Sequence, residues 1–250
     1  MFGHKLGLRG PDRKDRRDFI LRFHPQLSLL SEVDLSAKCP PIFDQGELGS
    51  CVANAVVSAM MFNDKNDGDE KLTELSRLML YYLCRREDGT VREDAGTYTR
   101  TAIKAAAKYG VCSENRWPYK VDEFTMNPPE HCYEDARHRR IILYHRILTT
   151  FDMKACLMAG VSFVLGIPIF ESFQSDEVAA TGEVPMPEKG ESLLGYHAVY
   201  CCGYKDSKRR YKCVNSWDGW GDKGFFTLPY EFIETFVLPE GQGDCWTIIK

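Results

Sequence analysis

Four polar side chains, far apart along the chain, have the types needed to break an amide bond. Cys51 closes "QGELGSC" (45–51), where a glycine-containing loop gives way to an apolar run. His197 stands in "GYHAVY" and Asn215 in "NSW". A thiol attacks only as thiolate, and a helix N-terminus or a neighbouring imidazolium lowers its pKa. Cys51 has the first from its own position, and a histidine brought across a cleft would supply the second. Asn215 has the carboxamide that fixes an imidazole's tautomer and orientation. Cysteine, histidine and asparagine together are a known nucleophilic variant of the serine triad. Gln45 lies six residues before Cys51, and its side-chain amide, with the Cys51 backbone N–H, would form an oxyanion hole.

Each residue also has a plainer reading. A lone cysteine is more often a small buried hydrophobe than a nucleophile. Asn215 alone reads as a strand-end turn residue, Gln45 as an exposed loop side chain and Trp217 as core. There are ten cysteines, but no C-x-x-C pair, and a chain of 250 residues does not need a disulfide scaffold. Cys201, Cys202 and Cys213 with His197 form a weak zinc alternative, and strand packing explains those cysteines more simply. Residues 1–22 lack an apolar h-region. The expectation is therefore intracellular, cytoplasmic synthesis with mostly reduced thiols, export by a signal-independent route remaining open.

The elements that must position these residues fall into two halves. Residues 1–38 are polar and broken by proline, and within 1–22 seven Lys and Arg face three Asp, although the whole chain carries a formal net charge of −4. Such a basic leader either docks on its own acidic body or stays solvated. From Cys51 the pattern is a helix apolar on almost every side, hence buried, with Ser50 as its N-cap. Residues 63–71 read as a surface loop, 73–86 and 97–110 as helices, and the stretch to about 131 as irregular. The second half reads as a short helix (151–160), a buried strand (161–170), two strands around a polar turn (195–217) and a further strand (224–233). A turn centred near 206 or 207 sets His197 directly opposite Asn215, with Trp217 close by.

In this order the motifs resemble the papain-like cysteine peptidase family, in its bacterial and viral branch without a long inhibitory prodomain. The residues that carry the resemblance are "QGELGSC" (45–51), "HAV" (197–199), "NSW" (215–217) and "WGDKGFF" (220–226). It implies Cys51 as nucleophile, His197 as general base and acid, Asn215 as orienter, Gln45 as oxyanion donor and Trp217 as a shield over the His–Asn hydrogen bond. Gly96 matches the glycine whose backbone pairs with substrate, and Ala198 and Val164 match positions lining a substrate pocket. Leu48 stands where many members have a bridging cysteine, Val52 replaces the usual tryptophan, and Tyr196 precedes the histidine. Cys84 and Cys132 lie near positions that pair in some relatives.

The resulting expectation is an α+β, two-lobe fold with a helical lobe (39–145), an antiparallel, β-barrel-like lobe (146–250) and a cleft between them, preceded by a basic leader (1–38) that either forms a short inhibitory segment, with residues 1 to about 30 on or near the cleft, or leaves the cleft open. The expected activity is that of an endopeptidase acting on peptides or proteins through an acyl-enzyme, with no metal or organic cofactor. A catalytically silent peptide-binding module and an acyl transferase to amines are the competing readings. The basic clusters at 137–140 and 207–210 lack interleaved aromatics and read as surface charge, so no nucleic acid is expected. No apolar run reaches bilayer-spanning length, so no membrane partner is expected.

Overall fold

From Cys51 to Phe62 every residue is buried, so the helix α1 (Cys51–Asn66) runs through the interior rather than over it. The structure, a computed structural model, describes residues 4–66, 73–239 and 244–249. Around α1 pack α2 (Arg77–Glu87) and α3 (Thr99–Tyr109). Ser76 caps α2 by accepting the Met79 N–H at 3.1 Å, and α3 stops at Gly110 as its sequence predicts. A short α4 (Glu130–Ala136) completes the helical half.

The other half is one antiparallel sheet. Its strands are β1 (Glu32–Asp34), β2 (Leu143–Arg146), β3 (Phe163–Phe170), β4 (Leu193–Lys205), β5 (Arg210–Val214), β6 (Phe225–Pro229) and β7 (Cys245–Ile249). They run in the order β2-β7-β3-β4-β5-β6, with β1 paired to β4. Helices α5 (Thr150–Met158) and α6 (Asp176–Thr181) bury their apolar residues with the sheet's second core, and α7 (Tyr230–Phe232) follows β6. β3 is buried from Phe163 to Ile169, as expected of a central strand covered on both faces. Among the described residues no helix is long and apolar enough to cross a membrane.

Several expectations are corrected. The sheet is open, not a closed barrel. The helix does not stop at Asn63 but continues to Asn66. Asn63 and Asp64 are buried, and Asn63 Nδ2 donates to the Ile248 carbonyl at 2.6 Å. A tertiary partner thus overrides a composition that reads as loop; the rest of that segment, 67–71, lies outside the described residues. The strand expected over 224–233 ends at Pro229, which has no N–H to extend a ladder. The hairpin register differs too. Tyr200 pairs with Val214 and Cys201 with Cys213, then a bulge at Cys202 shifts the ladder to Gly203–Lys212 and Lys205–Arg210. His197 therefore lies on a diagonal from Asn215 rather than directly opposite it, a separation that long side chains still bridge.

Residues 4–23 lie along the body. Gly7 O accepts the Thr97 N–H at 2.9 Å, the Arg9 N–H donates to Thr97 O at 3.1 Å, and Leu8 bridges to Tyr196 of β4. Further on, Asp12 Oδ2 accepts the Arg100 N–H at 2.9 Å and Trp246 Nε1 at 3.0 Å. Asp18 pairs with Arg100 at 2.6 Å and Arg146 at 3.1 Å. These buried anchors are leader aspartates on body arginines, the reverse of the polarity the net charges suggest. Burial raises Asp12, and burial beside Asp12 raises Asp244 well above the usual carboxylate range. Asp18→Asn removes the carboxylate that two guanidiniums share, with side chains 6% (Asp18), 15% (Arg100) and 3% (Arg146) exposed. We expect it to cost about 3 kcal/mol of stability, read from the urea midpoint at unchanged m-value.

Candidate active site

The loop that leads into α1 is held from three sides. Arg77 Nη1 donates to the Asp44 carbonyl at 2.9 Å, the Tyr119 hydroxyl to the Gln45 carbonyl at 2.8 Å, and Gln45 N–H to the Ser216 carbonyl at 2.9 Å. Ser50, the expected cap, instead bonds the Tyr119 hydroxyl and accepts Asn54 Nδ2 at 3.0 Å. Cys51 is thereby fixed as the first residue of a sixteen-residue helix, where the aligned peptide dipoles favour a thiolate.

The orientation of the Gln45 carboxamide follows from its partners. Trp217 Nε1 is donor only, and it meets Oε1 at 3.2 Å, as does the Ser216 hydroxyl at 2.8 Å. The carbonyls of Leu48 and Lys5 accept only, and each takes a bond from Nε2 at 2.9 Å. The donor end of Gln45 therefore faces a peptide carbonyl at the N-terminus of α1.

The same reasoning assigns the histidine. Asn215 Oδ1 accepts the Ser216 N–H at 2.8 Å, so the group facing His197 Nε2 at 2.8 Å is an acceptor and Nε2 carries the proton. Nδ1 then holds a lone pair, and it is buried without a hydrogen-bond partner. Trp217 stacks on the imidazole, with ring centroids 4.5 Å apart and planes at 29°. It is 1% exposed. The backbone of Ala198, next to His197, is among the groups that lower the Cys51 thiol.

Cys51, His197 and Gln45 are each fully buried in this state. Burial pushes the Cys51 thiol up to about 11, against backbone bonds from Ala198, Gly7, Val52 and Leu8 that lower it. Burial likewise holds His197 down at about 4, offset in part by the bond to Asn215 and reinforced by His4. His4 also stacks on Trp217 at 5.2 Å. The covering residues are the leader's own.

The remaining candidates divide. Gly96 adopts φ 68°, a left-handed conformation that favours glycine, and a Cβ there would overlap the Gly7 carbonyl. Its N–H goes to the Tyr81 hydroxyl at 3.2 Å, so the main-chain pairing with the leader is made by Thr97, one residue on. Ala198 sits across β3 from Gly166. Val164 is fully buried, and the β3 residue that meets the Leu8 side chain is Gly166. Thr97, Gly166 and Asp94 escaped the sequence reading, although Asp94 and Thr97 flank Gly96 in "EDAGTY". Cys84 and Cys132 do not meet: Cys84 lies against Thr97 and Cys132 against Cys112. Among the described residues no three His, Cys, Asp or Glu side chains converge as metal ligands.

Comparison with known proteins gives this geometry a family. The model of the Papain family cysteine protease matches residues 30–234. The chain belongs to the papain family of cysteine proteases. It is 38% identical over 215 residues to an uncharacterized peptidase C1-like protein of Acanthamoeba polyphaga mimivirus, covering 82% of this chain and 68% of that one. It is similar over its whole length to the crystal structure of xylellain, a cysteine protease from Xylella fastidiosa. There the TM-score is 0.89 at 34% identity, with 98% of that chain covered. The digestive procathepsin L 3 of Tenebrio molitor shares the fold, with a TM-score of 0.70 at 17% identity over 97% of this chain and 76% of that one. This papain-family chain is accordingly a hydrolase acting on peptide or protein substrates.

Proposed function

We propose that the chain is an endopeptidase working through an acyl-enzyme on Cys51, and that residues 4–9 hold it latent. The observation that carries the reading is Gln45 Nε2 donating to the Lys5 carbonyl at 2.9 Å beside the start of α1. A peptide carbonyl already occupies the place where an oxyanion would form. In the reaction, His197 Nδ1 takes the Cys51 thiol proton and the thiolate attacks the scissile carbonyl carbon. Gln45 Nε2 and the Cys51 N–H stabilise the oxyanion. The intermediate collapses, the C–N bond breaks and the imidazolium gives its proton to the leaving amine. A water, deprotonated by His197, then releases the acid product and regenerates the thiol.

Latency follows from the buried, neutral state of the pair. A thiol at about 11 and an imidazole at about 4 do not form a thiolate–imidazolium pair near neutrality. Exposure of the cleft returns both groups toward their ordinary values and allows the ion pair. The test is labelling with a peptidyl epoxide followed by peptide mapping, in a full-length chain opened by Gly7→Val. The expected adduct is on Cys51 alone. Cys39, the one cysteine that is only partly buried while Cys51 and the rest are buried, is the internal control, and an adduct there without one on Cys51 ends the proposal, as does the absence of any adduct.

A further inference from the structure

We propose that Cys39 and Cys202 form a redox site, at which a hydroperoxide converts two thiols to a disulfide that ties the segment entering the Gln45 loop to strand β4. The inference stands independently of the peptidase reading.

The local fold brings the two sulfurs together. The Leu35 N–H donates to the Cys202 carbonyl at 2.9 Å, which extends the pairing of β1 with β4 past Asp34–Gly203. A tight turn at Ser36–Lys38 then reverses the chain, closed by the Cys39 N–H on the Ser36 carbonyl at 3.1 Å. Cys39 thus returns over β4 and packs on the cluster of Phe62, Tyr200, Cys202 and Val214. Cys202 is the extra residue of the bulge between the Cys201–Cys213 and Gly203–Lys212 pairs. Its neighbour Cys201 faces the other core, whereas the Cys202 thiol meets the Cys39 thiol in a hydrogen bond. A disulfide here would join the chain six residues before Gln45 to the strand that carries His197.

Three features single out this pair. Cys39 is the one cysteine that is only partly buried, so a small peroxide reaches it. Its thiol is lowered, by the bond to Cys202 first, then by Tyr200 and the charge of Lys212. Lys212 Nζ is held there by Asp34 at 2.9 Å and Ser36 Oγ at 3.0 Å. The buried Tyr200 hydroxyl has no oxygen or nitrogen partner and lies beside the Cys39 sulfur, placed to donate to a thiolate or to a sulfenic oxygen. The other thiol contacts lack these features. Cys201–Cys213 and Cys112–Cys132 are buried, and burial pushes Cys201, Cys112 and Cys132 up. Cys51, held at about 11, lies under the leader.

The chemistry runs in two steps. The Cys39 thiolate attacks one oxygen of hydrogen peroxide, the O–O bond breaks, and the other oxygen leaves as hydroxide and is protonated to water. Cys39 is now a sulfenic acid. The Cys202 sulfur attacks the Cys39 sulfur, the S–O bond breaks, and the thiol proton leaves with the hydroxide as a second water. Two thiols lose two electrons in all, and one peroxide gains them.

The test treats the full-length chain, reduced and then freed of reductant, with hydrogen peroxide and maps its peptides without reduction. The expected result is a loss of two hydrogens, a cross-link whose fragments place it at Cys39–Cys202, and its reversal by dithiothreitol. The cross-link should form at least about tenfold faster than any other cysteine is oxidised. Cys202→Ala should stop at a sulfenic acid on Cys39, trapped by dimedone, while Cys201→Ala should leave the cross-link unchanged. Lys212→Gln should slow the first step severalfold with the same product. A first cross-link at Cys201–Cys213 or Cys112–Cys132 overturns the proposal. So does a wild-type chain in which Cys39 and Cys202 are both still alkylated after peroxide and unfolding in urea. These readouts come from the wild-type chain, so a variant that fails to fold leaves the test standing.

Discussion

Cys51→Ala, made in the opened Gly7→Val chain, is expected to lower peptide hydrolysis by at least roughly 10⁴-fold, to the limit of detection in a fluorogenic assay. The magnitude follows from the division of labour in the cleft. Without the thiol there is no acyl-enzyme, and the imidazole lone pair on His197 Nδ1, which has no hydrogen-bond partner, has no proton to take. Gln45→Ala in the same chain is expected to be milder, about 10²- to 10³-fold in kcat, since it removes one oxyanion donor and leaves the nucleophile. Combining the two should add nothing to the Cys51→Ala loss, because both act on one step. Cys39→Ala serves as the opposite control. Its thiol is lowered by a bond to Cys202 and is the tempting alternative nucleophile, yet it belongs to the strand-side cluster with Tyr200, Cys202 and Val214. Cleavage that persists in Cys51→Ala and disappears in Cys39→Ala would reverse the assignment.

How much of this was legible before any coordinates depends on whether the signal was local. The start of α1 was, because "QGELGS" changes abruptly to twelve residues that the fold buries without exception. The company of Cys51 was legible from motif order. The hairpin register was not: nothing in "CCGYKDSKRRYKC" announces that the turn closes on a Lys205–Arg210 pair, or that the bulge at Cys202 takes back only one residue of the resulting offset between His197 and Asn215. Asn63 and Asp64 misled for a related reason, since their place in α1 depends on β7, 185 residues away for the Asn63–Ile248 bond. Gly96 was found by resemblance, but the residue that pairs with the leader's main chain is its neighbour Thr97, while the Gly96 N–H goes to Tyr81. The leader shows the limit most clearly. Its charges could be counted, but the anchors that matter are Asp12 and Asp18 on Arg100 and Arg146. Its route depends on three glycines, Gly7, Gly49 and Gly96, that approach only in space.

Those glycines make Gly7→Val the most direct way to open the cleft, with an expected rise in peptide hydrolysis of roughly ten- to hundredfold. A Cβ on Gly7 would stand 2.6 Å from Gly49 Cα and closer still to the Gly49 carbonyl carbon and oxygen. The colliding atoms are backbone, so no rotamer relieves them. Gly49 has little freedom to yield: its N–H is bound to Asp94, and it precedes the first turn of α1. On the other side Gly7 O is held by the Thr97 N–H and lies against Gly96. Gly7 is the movable member, and it moves by lifting residues 4–9 off Gln45, Cys51 and Trp217. Overpacking of this kind costs about 1–3 kcal/mol, and each 1.4 kcal/mol changes the open-to-closed ratio tenfold. The rest of the leader should stay, because Asp18 and the pairing of Ile20 with Arg146 lie beyond the disturbed stretch. The melting temperature should therefore fall far less than it does in Asp18→Asn. Alkylation of Cys51 by iodoacetamide gives a second readout. In the native chain the thiol is held at about 11 by burial, so labelling should rise only toward that pH. Once the cleft is open, the helix N-terminus and the solvated imidazole stabilise the thiolate, and the limb should move down to near neutrality. An unchanged hydrolysis rate together with an unmoved alkaline limb would mean that residues 4–9 do not hold the enzyme shut.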